Sequence, residues 1–82
     1  SGTTIKRTGY TRIMRNCLIA AGNSGDKTLI KNVKKFIKSE NNLLRGASIW
    51  SLRQLMTADE FAILKNKNIA LEKESDVKKE WI

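Results

Sequence analysis

The side chains here that could do chemistry are nearly all cations. The 82 residues hold 16 Lys and Arg against 8 Asp and Glu, with one Cys and no His, for a net charge of +8. Catalysis needs a nucleophile, a proton carrier or a metal, held by residue types that converge. With no histidine, one cysteine that reads as buried and no convergent acid pair, the chain supports the reading of an independent enzyme least. A lone thiol forms no internal disulfide and no cysteine-cluster metal site, and it fits a reducing, cytoplasmic setting. Cys17 is expected to be a small buried hydrophobe.

The chemistry left is ionic. Residues 1–56 carry eleven basic and two acidic side chains, whereas residues 57–82 carry five and six. A basic half joined to a neutral half points to an anionic partner, most often nucleic acid. The plain alternative is a lysine-rich surface that keeps a small domain dissolved. The candidate phosphate contacts are Lys6, Arg7, Arg12, Arg15, Lys31, Lys34, Lys35, Lys38 and Arg45. Like charges three and four residues apart repel by a few tenths of a kcal/mol each. The lysines of residues 27–38 therefore cost stability slightly unless an anion sits on them.

Helices must position these cations. Residues 1–7 show no period and are expected to be an extended lead-in, followed by one domain over 8–82. Tyr10, Ile13, Met14, Cys17, Leu18 and Ala21 recur at helical spacing and predict a first helix to about Ala21, with Gly22 beyond its end. Asn23-Ser24-Gly25-Asp26 then turns the chain, and Ser24 or Asp26 caps a second helix over Lys27–Ser39. Its inward side is Leu29, Ile30, Val33, Phe36 and Ile37. Asn41 or Asn42 caps a third helix reaching Met56, whose apolar girdle (Leu44, Ala47, Ile49, Trp50, Leu52, Leu55) implies neighbours on both sides. Thr57-Ala58-Asp59-Glu60 is a capping box opening a fourth helix, with Phe61, Leu64, Asn68 and Leu71 inward. Ser75-Asp76 caps a short fifth helix in which Trp81 is expected to cover the end of the core.

The chain also echoes itself. Met14-Arg15-Asn16-Cys17-Leu18-Ile19 aligns with Leu44-Arg45-Gly46-Ala47-Ser48-Ile49, and Leu44-Arg45 aligns again with Val77-Lys78. Each copy follows a polar loop with an apolar anchor, a cation, and small or apolar residues. That period suits stacked helical hairpins. The predicted fold is all-α, with four to five helices in HEAT-like helical-hairpin repeats forming an α-α superhelix. In such repeats an Arg early in the inner helix pairs with an Asp from a preceding turn. Asp26 is the expected partner of Arg15 or Arg45.

The run IKRTGYTRIMRNCLIAAGNSGD, followed by LLRGASIWSL, resembles the C-terminal HEAT-like segment of bacterial epoxyqueuosine reductases. The shared pattern is Ile-Lys-Arg, a Gly, Arg-Asn, Gly-Asn-Ser-Gly-Asp, and later Leu, then Arg-Gly-Ala, and Trp with a following Leu. It covers most of residues 3–56 and, more loosely, the Val77–Trp81 region. Thr4 and Asn42 stand where that pattern has prolines, and Ser48 and Ser51 where it has alanines. The resemblance implies a longer parent oxidoreductase that uses cobalamin and two 4Fe-4S clusters to reduce epoxyqueuosine to queuosine in tRNA. It implies for this segment a share in gripping the tRNA, with no catalytic or metal-binding residue. The chain opens on Ser rather than Met, and it too reads as a piece of a longer protein. The expected partners are tRNA and the upstream catalytic domain of the same chain, with no membrane and no self-association. The competing function is a HEAT-like scaffold for protein partners.

Overall fold

The order of caps and turns along the chain becomes five α-helices with no strand among the described residues. The structure is a computed structural model describing residues 2–82, and the side chains of residues 9–82. Helix α1 is Gly2–Ser24 and α2 is Ile30–Lys34, the latter flanked by 3-10 turns at Lys27–Leu29 and Lys35–Lys38. Helix α3 is Asn42–Leu55, α4 is Ala58–Asn68 with a 3-10 turn at Ile69–Leu71, and α5 is Ser75–Trp81.

Local chemistry sets most of these boundaries. Asp26 takes the amide of Thr28 on its carboxylate, and Asn41 takes those of Leu43 and Leu44. The capping box forms in full: Thr57 accepts from the Glu60 amide, and Glu60 accepts from the Thr57 amide. The start of α1 differs from expectation, because residues 2–7 belong to the helix rather than to an extended lead-in. With no proline in the chain, nothing there breaks the backbone ladder. The end of α1 differs as well. The left-handed turn is made by Gly25, with φ of 70°, so the helix runs through Gly22 to Ser24. The predicted second helix is shortened to one α-helical stretch between two tighter turns.

Helix α3 lies at the centre of the core. Ile49 and Leu52 are fully buried, with Leu44, Ala47 and Leu55 almost so, and Ser48 and Ser51 pack without exposure. The girdle therefore has neighbours on both sides, as its width predicts. The largest interface is with α1. Thr11 lies beside Asn41, whose side-chain amide donates to its hydroxyl over 3.0 Å, and Gly22 lies against Trp50 and Ser51. The two helices thus run parallel. On the other flank, Arg53 of α3 donates to the carbonyl of Glu80 in α5. Val77 and Trp81 of α5 are buried, and the Trp81 ring sits 5.5 Å from that of Phe61. Trp81 closes the core end, as expected.

The face of α1 that packs is rotated from the one its apolar residues mark. Leu18 and Gly22 are buried and Thr11, Met14 and Ala21 half-buried, while Tyr10, Ile13 and Cys17 face solvent. Cys17 is therefore not a core residue. The reason lies at the α1–α3 contact. A Cβ on Gly22 would stand 2.8 Å from the Trp50 ring and 2.9 Å from the Ser51 Cα, so the smallest residue decides which side approaches. Leu71 likewise departs from its expected inward place and is 74% exposed, since α4 has already tightened into its 3-10 turn.

Candidate nucleic-acid interface

Of the nine predicted contacts, the seven whose side chains are described fall into three groups. Lys31, Lys34, Lys35 and Lys38 are all exposed on the α2 segment. Their side of it is fixed by Val33, which is buried, and by Leu29, Ile30, Phe36 and Ile37, which pack on the core. Helical spacing then turns the lysines outward together. Among the described residues none of these four makes a salt bridge. The acidic side chain that feels this group is Glu60, at the start of α4. Its carboxyl is held below its ordinary value, first by the Thr57 amide and hydroxyl and then by the charges of Lys27 and Lys34.

Arg12 and Arg15 are exposed on α1. Arg15 lines a cleft of about 350 Å³ between α1, α3 and α5. Ile19, Leu43, Ala47, Trp50 and Val77 supply its apolar wall, and Glu74, Asp76 and Glu80 supply carboxylates. Lys6 and Arg7 lie in α1, but their side chains fall outside the described residues.

Arg45 is the exception to the predicted set. Its guanidinium makes two parallel bonds to the Glu72 carboxylate, at 2.9 and 2.8 Å, and a third to the Ser39 carbonyl at 2.9 Å. Both side chains are largely buried, at 15% and 7% exposure. The ion pair lowers the Glu72 pKa and raises that of Arg45. A planar fork satisfied in this way has little left for a phosphate. Arg45 therefore ties the α4–α5 connection to α3. The expected partner, Asp26, instead bonds both the amide and the hydroxyl of Thr28. The sequence signal for Glu72 was faint: an acid in a cluster of acids, 27 residues away, with no fixed spacing to identify it.

The described residues contain no group of three or more His, Cys, Asp or Glu that could hold a metal ion, and no helix long and apolar enough to cross a membrane. Comparison with protein-family profiles, curated proteins and solved structures returns no match.

Proposed function

We propose that this chain is a non-catalytic, tRNA-contacting accessory domain, HEAT-like in its repeat plan. In this reading it works beside the catalytic domain of an epoxyqueuosine reductase. The observation that carries it is the exposed set of lysines on α2 and its flanking 3-10 turns, which among the described residues have no carboxylate in salt-bridge range. Such cations give affinity and position rather than base readout. RNA duplexes are engaged largely through shape and backbone, for which fixed ammonium groups suffice. The parallel α1 and α3, offset by one sequence repeat, support the stacked plan.

The cofactors of such an enzyme do not fit here. A four-iron cluster needs four cysteine thiolates, and this chain has one cysteine. Cobalamin and both 4Fe-4S clusters, together with the reduction itself, would belong to the partner domain in the cytoplasm. The second reading, a protein-binding scaffold, is favoured by Tyr10 and Ile13, which are 54% and 63% exposed on α1.

The deciding experiment titrates the chain with tRNA across salt concentrations. Binding that weakens steeply between about 50 and 200 mM salt, as counterion release demands, supports the proposal. Affinity that is absent or indifferent to salt removes it.

A further inference from the structure

We infer that the RNA backbone tracks the lysine face of α2 and not the cleft between α1, α3 and α5. This assignment rests on the tRNA reading and names the surface it uses. A solenoid offers a phosphate chain two sides, one along each set of helices. Here the two sides differ in charge. Among the described residues the cleft wall carries one cation, Arg15, and three carboxylates, Glu74, Asp76 and Glu80, of which Asp76 pairs at 4.0 Å with the exposed Lys79. A phosphate entering it would meet more like charge than opposite charge. No described residue of α2 or α4 reaches this cleft, so the lysines do not offset its acids.

The α2 side is the reverse. Lys27, Lys31, Lys34, Lys35 and Lys38 are exposed within one segment that contains no acid. From Lys27 to Lys38 the row extends on the order of 15–20 Å at helical rise, enough to meet several successive phosphates. Arg45, the remaining described candidate on α3, is committed to Glu72. Among the described candidates, the exposed cations that share one segment free of acids are therefore the lysines of the α2 side.

The test compares K31Q/K34Q/K35Q with R15Q, each as the whole chain, by the salt dependence of binding to a tRNA transcript. Circular dichroism confirms that both variants fold. Each phosphate contact contributes about 0.7–0.9 to the slope of log K against log salt. The triple variant is expected to flatten that slope by about 2, with R15Q unchanged. A slope unaltered in the triple variant, or lowered as much in R15Q, overturns the assignment while leaving tRNA binding standing. If the unaltered chain shows no salt-dependent binding, the tRNA reading falls and this assignment with it.

Discussion

Arg45 shows how one residue type can serve two ends. Its fork geometry suits a phosphate or a carboxylate equally, and the neighbour decides. Glu72 is that neighbour, and its folded pKa lies below the ordinary 4.5. A depressed carboxyl stabilises the fold above its unfolded pKa, and that contribution disappears as pH falls through the folded value. The melting temperature of the chain should therefore hold from pH 7 to about 5 and drop below it. In E72Q the drop should be shallower, as followed by circular dichroism. Truncating the other partner, R45A, leaves a carboxylate stranded in a largely buried site and should cost about 3 kcal/mol in denaturant titration. Gly22 is the other residue whose role is local. G22A must displace Trp50 or the α3 backbone and should cost about 1–3 kcal/mol, the range for forced overpacking.

At the scale of elements, the chain's sequence specifies α3 and α4 better than α1. Asn41 and Thr57 cap where their types predict, and the apolar girdle of α3 is buried almost residue for residue. Those signals are short-range, and a cap or a wide apolar belt has few interpretations. Helix α1 carries apolar residues around much of its circumference, so periodicity alone selected Tyr10, Ile13 and Cys17 over Thr11 and Gly22. Tertiary fit selected the reverse. The contrast is measurable. L52A, fully buried on α3, should lose about 2–5 kcal/mol of unfolding free energy. I13S, on the exposed side of α1, should stay within about 0.5 kcal/mol of the unaltered chain. The candidate interface was legible in the same uneven way. The lysine face could be read from spacing, but the removal of Arg45 and the acids facing Arg15 depend on contacts between distant segments.

For the whole molecule, the governing quantity is a net charge of +8 on 82 residues. Self-repulsion of that size is screened over about 8–10 Å at moderate salt. The free chain should therefore melt higher in 200 mM salt than in 20 mM, because the lysine row is relieved. K31Q/K34Q/K35Q should melt higher at low salt and respond less to its addition, as calorimetry would record. The Arg45–Glu72 pair, largely shielded from solvent, should oppose this trend only weakly. The fold itself is slender, with extents of 45, 29 and 16 Å, the last thin enough for two layers of helices.

The ties between these helices span similar lengths of chain. Thr11 to Asn41 spans 30 residues, while Arg45 to Glu72 and Arg53 to Glu80 each span 27. Loop-closure entropy grows only with the logarithm of loop length, so each tie closes at nearly the same cost. No contact among them demands that the chain ends meet first. Folding can then begin with α3 and extend toward either terminus.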